Sequence, residues 1–230
     1  MPLSLRLFIP AFAIAAVGCA HPRLQPAPAA AALPPVPEGM SQNAWVHAHA
    51  AYARVERDGR AAKPLLTVID YSLPSSARRL WVVDLSTNEV VMNEYVAHGE
   101  RSGGTWATDF SNRRGSNRSS LGTFVTLNTY RGVRGLSLRL MGLEPGINDK
   151  ALPRGIVIHG TPNVSAARAL AGRVGRTEGC PAVPLASARR LVRLLEGGSV
   201  VFAWYPDPHF LATSEYLDRS IVPYYLGDTH

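Results

Sequence analysis

One cysteine and one histidine carry the chemistry this chain could perform. Cys180 stands in Gly175-Arg176-Thr177-Glu178-Gly179-Cys180-Pro181, and His159 closes the apolar run Ile156-Val157-Ile158-His159-Gly160. A thiol at its reference pKa of about 8.5 is mostly protonated at neutral pH; a histidine or a helix N-terminus beside it makes it an effective nucleophile. Both are on offer. His159 reads as the only histidine set among strand-type residues with a glycine after it, and an amphipathic helix starts at Pro184, just past the cysteine. Gly160 lets the chain turn sharply there and leaves the backbone open to approach. The alternative is a packed sulfur, because a lone cysteine is often a small buried hydrophobe, with His159 a satisfied core histidine. Acyl transfer at Cys180 would also need N–H donors for an oxyanion. Pro181 has none, which leaves Glu178, Gly179 and Cys180 itself.

The elements that must position this pair are mostly strands. Residues 65–72, 78–86 and 89–99 are rich in β-branched and aromatic side chains, and Ser86-Thr87-Asn88 reads as a hairpin turn between the second and third. Residues 121–130, 135–143, 154–160 and 199–206 have the same character. Residues 41–58 read as a helix capped by Ser41, with Trp45, Ala48, Tyr52 and Val55 on one face and Gly59 as the stop. The helix over 184–196 presents Leu185, Ala188, Leu191, Val192 and Leu195 on one face; residues 165–174 form a shorter one. His47 and His49 are two apart and share no helical face, so no metal site is expected. The pattern predicts a mainly β domain, a sandwich or partly closed barrel with a few packed helices. The polar, glycine-rich stretch 101–122 is long for a connection and reads as a functional loop or lid.

The first twenty residues read as a targeting segment. Arg6 precedes an apolar run, Leu7 to Val17, too short to span a bilayer, since a span needs about 20 apolar residues. Ala16-Val17-Gly18-Cys19 resembles a bacterial lipoprotein signal, in which cleavage precedes a cysteine that receives lipid; Ala20 fits an outer-membrane address in Gram-negative bacteria. The expected divisions are 1–18 signal, 19–40 Ala/Pro-rich tether, 41–64 N-terminal helix, 65–206 catalytic domain and 207–230 C-terminal extension. The chain has two cysteines. With lipid on Cys19, Cys180 has no disulfide partner, and a lone thiol in an oxidising compartment points to chemistry. The net charge of +7 favours anionic partners. No nucleic-acid-binding module accompanies it, so nucleic acid is not expected as a partner.

The residues Ile156–Thr161 followed by Gly175–Val183 resemble the catalytic motif of the L,D-transpeptidases, cysteine enzymes that remodel bacterial peptidoglycan. Their pattern is a strand ending in His-Gly, then Ser/Thr-x-Gly-Cys, filled here by Thr177-Glu178-Gly179-Cys180. The resemblance covers about residues 65–205. It implies a mainly β catalytic domain without metal or organic cofactor, in a cell-envelope or periplasmic setting. It implies that Cys180 attacks the diaminopimelate carbonyl of a tetrapeptide stem and that D-Ala leaves from a thioester. An amine of a second stem then gives a 3–3 crosslink, or water gives carboxypeptidase activity. His159 would serve the thiolate, with the Gly160 carbonyl orienting its ring. Arg154, Asn148 and Arg139 are candidates to receive stem carboxylates, with Arg176 and Thr177 also on the substrate side. Two positions depart from the family pattern. Glu178 stands where many members have His and is expected to point outward or pair with Arg176 or Arg173; Ala182 stands where many have Arg or Asn. A hydrolase of existing peptidoglycan or protein–peptidoglycan crosslinks, or a degenerate wall-binding lipoprotein, would use the same motif.

Overall fold

The computed structural model describes residues 33–218. The signal segment, Cys19 and most of the tether lie outside the described residues, as does the end of the C-terminal extension. Helix α1, Gln42–Arg57, starts where Ser41 accepts the Ala44 N–H on its hydroxyl at 3.2 Å and stops before Gly59 in a left-handed turn. Strands β1 (Leu65–Asp70), β2 (Arg78–Asp84) and β3 (Glu89–Tyr95) follow, the last two joined by a turn whose Asn88 has φ +59°. Strands β4 (Gly122–Gly132), β5 (Gly135–Gly142) and β6 (Val157–Thr161) come after the long polar loop. The rest comprises α2 (Ala166–Leu170), β7 (Ala182–Pro184), α3 (Leu185–Leu195), β8 (Val200–Trp204) and α4 (Pro208–Thr213).

All eight strands form one sheet in the order β3-β2-β1-β8-β4-β5-β6-β7. Its two edges come back together. Past the end of β3, Ala97 bridges Ala182 of β7 and Gly99 bridges Thr177, so the sheet is a nearly closed barrel rather than a two-sheet sandwich. Closure removes the open edges that invite misassociation. The core holds Trp45, Ala48, Tyr52 and Val55 of α1, Ala188, Leu191, Val192 and Leu195 of α3, and Leu66, Val68 and Phe202 of the sheet. Each large side chain buried this way contributes about 1.5–3 kcal/mol. Leu185 departs from the expected face: it is 60% exposed at the first turn of α3. The reason lies beneath it. A Cβ on Gly160 would stand 2.6 Å from the Ala188 Cβ and 3.3 Å from the Leu185 Cα, so the first turn of α3 rests directly on the β6 backbone. Gly160 is therefore required for this close approach. It has no positive φ, and the expected sharp turn is not its role.

Candidate active site

The short parallel pairing of β6 with β7 lays the segment that carries the cysteine alongside the strand that carries the histidine. His159 lies opposite Ala182 and Gly160 opposite Val183, which sets Cys180, two residues before Ala182, beside Val157. The Cys180 Sγ accepts the Val157 N–H at 3.5 Å and its thiol points to the Gly155 carbonyl at 3.6 Å. Burial raises its pKa, and Glu178 pushes the same way. The Val157 N–H, Arg134 and Arg154 favour the thiolate. His159 is buried, and its Nδ1 is 3.0 Å from the Gly160 carbonyl. A carbonyl only accepts, so Nδ1 carries the proton and Nε2 keeps a lone pair in the neutral ring. Burial lowers the His159 pKa, which holds the ring neutral. The resting pair is thus a thiol and a neutral imidazole.

The turn before Cys180 is fastened from within. The Thr177 hydroxyl donates to the Cys180 carbonyl at 2.7 Å and accepts the Gly179 N–H at 3.1 Å. Gly179 has φ +119°, and a Cβ there would be 2.7 Å from the Arg118 carbonyl, so only glycine fits. Two sequence expectations change. Thr177 is a turn-former and is not free for substrate, and the Gly179 N–H is spent on Thr177, which removes it as an oxyanion donor. The Cys180 and Glu178 N–H groups keep that capacity. Glu178 is exposed and makes no ion pair with Arg176 or Arg173 among the described residues.

The cations expected to hold substrate divide in the same way. Arg154 gives Nη1 to the Ser111 carbonyl and Ser120 Oγ, both at 2.6 Å, and Nη2 to Ser116 Oγ and the Arg118 carbonyl at 3.2 and 2.7 Å. It fastens Ser111, Ser116, Arg118 and Ser120 of the long polar loop to one side chain. Arg176 spends its guanidinium on the carbonyls of Val174, Gly175, Gly103 and Gly104. Asn148 is wholly buried; it accepts the Glu144 N–H and donates to the Leu121 and Thr123 carbonyls. None of these three has a pair of donors free for bidentate contact with a stem carboxylate. Arg139 does. It stacks over the Tyr130 ring at 4.2 Å on β5, directly across from Val157, while Ser137 faces His159. Its guanidinium makes no ion pair among the described residues.

Sequence reasoning missed several contributors. Arg134, at the tip of the β4–β5 hairpin, acts electrostatically on both His159 and Cys180. Arg79 on β2 is fully buried, and among the described residues it makes no ion pair, Asp70 acting on it only from a longer range. It donates to the Val96 and Leu73 carbonyls and, at 2.7 Å, to Nδ1 of the buried His98. Arginine only donates, so His98 carries its proton on Nε2, which reaches the Gly103 carbonyl at 3.2 Å. Burial and the neighbouring arginines lower the His98 pKa to about 3. The segment around His98 is the strap that holds the cysteine turn: Ala97 N–H to the Ala182 carbonyl at 2.8 Å, Thr177 N–H to the His98 carbonyl at 3.0 Å, and Glu100 N–H to the Thr177 carbonyl at 2.7 Å. The signal was present in Val96-Ala97-His98-Gly99, a second histidine after strand residues and before glycine, so His159 is not the only one so placed. Among the described residues no three His, Cys, Asp or Glu side chains gather to hold a metal ion.

Residues 37–204 match a family model described as the L,D-transpeptidase catalytic domain. No curated protein matches the chain. Solved structures similar to it include an L,D-transpeptidase from Mycobacterium smegmatis, at 13% identity and TM-score 0.40 over 62% of this chain and 59% of that one. Others are L,D-transpeptidase 1 of Mycobacterium tuberculosis, at 14% and 0.35 over 62% of each chain, and an L,D-transpeptidase from Xylanimonas cellulosilytica, at 16% and 0.35 over 69% and 78%. The chain spans about three fifths of the length of the first two. With well over half its residues inside the matched model, this chain belongs to the L,D-transpeptidase catalytic-domain family.

Proposed function

We propose that the domain is an acyltransferase acting on peptidoglycan stems with Cys180 as nucleophile. The observation that carries the reading is the fixed His159 ring. With Nδ1–H held by the Gly160 carbonyl, the Nε2 lone pair is the base this site offers to the thiol of Cys180, which lies two residues before the adjoining strand β7. In this reading Nε2 takes the thiol proton as Sγ attacks the carbonyl of diaminopimelate in a tetrapeptide stem. The C–N bond to D-Ala breaks, and the same proton passes to the departing amine, leaving a thioester. The side-chain amine of a second stem, or water, then takes the acyl group. Arg139 and Arg134 are the cations left to meet stem carboxylates. Ala182 cannot supply such a contact, being wholly buried against the strap at Ala97.

Purified disaccharide-tetrapeptide, incubated with the protein and followed by mass spectrometry, tests this. Dimer formed with loss of one D-Ala marks a transpeptidase, and monomeric tripeptide marks a carboxypeptidase. Unchanged tetrapeptide, with turnover of crosslinked dimer instead, would replace the reading by a crosslink hydrolase. Arg139→Ala is expected to raise KM about tenfold with kcat nearly kept, the mark of lost ground-state binding; an unchanged KM removes Arg139 from the substrate site. We also propose that Cys19 carries lipid and tethers the domain in the envelope. Labelled palmitate incorporated by the full chain and not by Cys19→Ser is the expected result, and equal labelling would contradict it. No helix among the described residues is long and apolar enough to cross a membrane.

A further inference from the structure

Behind the cysteine turn runs a line of buried hydroxyls that the proposed reaction does not use. Ser119 is 1% exposed. Its N–H donates to Ser102 Oγ at 2.9 Å. Its Oγ accepts the Gly99 N–H at 3.0 Å and donates to the Gly179 carbonyl at 3.3 Å. Tyr71, also 1% exposed, lies beside the Ser119 side chain, and its ring faces the Arg79 guanidinium at 5.1 Å. The Ser119 hydroxyl therefore gives its one proton to Gly179 and receives from Gly99.

The carbonyl so held belongs to the peptide whose N–H is that of Cys180. In a planar trans peptide the C=O and the N–H point in opposite directions. Drawing the Gly179 oxygen inward to Ser119 turns the Cys180 N–H the other way. Among the described residues no acceptor takes that N–H. The plane is set from its other side too: Gly179 sits at φ +119°, and its own N–H is held by Thr177. A hydrogen bond accepted by an amide oxygen also polarises the N–H of the same amide, strengthening it as a donor.

We propose that Ser119, backed by Tyr71, is a positioning residue that sets the Gly179–Cys180 peptide plane so that the Cys180 N–H meets the oxyanion of the tetrahedral intermediate. This rests on the acyl-transfer reading above and assigns that reaction a residue outside the motif. It also makes a selective demand. Attack on a carbonyl builds an oxyanion, whereas displacement of iodide from iodoacetamide does not. The same thiol therefore reports both with and without the feature Ser119 serves.

The test uses the full chain carrying Cys19→Ser, so that Cys180 is the sole thiol. Acylation by p-nitrophenyl acetate forms the Sγ–carbonyl bond and releases p-nitrophenolate, which is followed by its absorbance. Alkylation by iodoacetamide forms the Sγ–CH2 bond and releases iodide, and is followed by mass. Ser119→Ala is expected to slow acylation about tenfold, less than the roughly hundredfold or more seen when an oxyanion donor is removed outright, because the N–H itself stays. Alkylation should stay within about twofold of the unsubstituted rate. Tyr71→Phe should show the same split more weakly, and it carries the test if Ser119→Ala does not fold. Equal losses in both reactions, which a general loosening of the turn would give, overturn the proposal, as does no loss in either. If the unsubstituted protein is alkylated at Cys180 but never acylated, the acyl-transfer reading falls and the role of Ser119 with it, an outcome visible before any variant is made.

Discussion

At the scale of single residues, the cysteine and histidine do not form an ion pair at rest. Burial raises the Cys180 pKa above its ordinary 9.0 and lowers that of His159 below 6.5, so between those values the thiol holds its proton and the ring is neutral. Both shifts come mainly from desolvation, which disfavours whichever form is charged. Alkylation of Cys180 by iodoacetamide should therefore be slow at pH 7 and still climbing at pH 9. Glu178→Gln should move the whole profile to lower pH, because that carboxylate opposes the thiolate. A rate that has already levelled off by pH 7 would mark a resting thiolate–imidazolium pair and contradict this. Residue type and neighbours alone single out Cys180 and His159 as the candidate pair. They do not single out Ser119, because a serine inside a polar loop carries no sequence mark of being 1% exposed.

At the scale of elements, the nucleophile is positioned less by its own strand than by the strap that closes the barrel. Strand β7 has three residues, one of them proline, and could not hold register alone; the bonds from Ala97, His98 and Glu100 supply what it lacks. Arg79 holds that strap. Its pKa is lowered to about 10 by burial, which leaves it charged at neutral pH with carbonyls and an imidazole nitrogen around it. Arg79→Met should cost about 3–5 kcal/mol, since two carbonyls and His98 Nδ1 would be left without donors in the interior. Hydrogen exchange should show the Thr177 and Glu100 amides losing protection before the central strands do. Protection unchanged at those two amides would mean that the strap stands without Arg79. The seven longer strands and α1 were readable because β-branched runs, glycines and a serine cap punctuate them. Strand β7 and the strap were not: three residues show no period, and a buried arginine looks in sequence like any other basic residue.

At the scale of the whole molecule, histidines held neutral by burial make the fold sensitive to acid, His98 and His47 most strongly. His98 has its pKa lowered to about 3 and His47, stacked on Trp204 at 4.7 Å, to about 4, against 6.5 for both when exposed. Their contribution is whole above pH 6.5 and is lost as pH falls toward the folded values, because only the unfolded chain then takes up the protons. At pH 5 this amounts to about 2 kcal/mol for each. The buried Glu144, whose pKa is raised by burial, works in the opposite direction. Thermal melts should fall by about 5–10 °C between pH 7 and pH 5. A flat or rising melting temperature would show that these rings accept protons in the folded protein.

The proposed function turns on a bond between Cys180 and an acyl group from a stem peptide. The direct measurement is to mix the protein with tetrapeptide stems lacking an acceptor amine, quench in acid, digest, and map the adduct by mass spectrometry. The predicted result is a tripeptide acyl group on the peptide that contains Cys180, released by hydroxylamine and missing from Cys180→Ala. Release of D-Ala by folded Cys180→Ala at the unsubstituted rate would contradict the central claim.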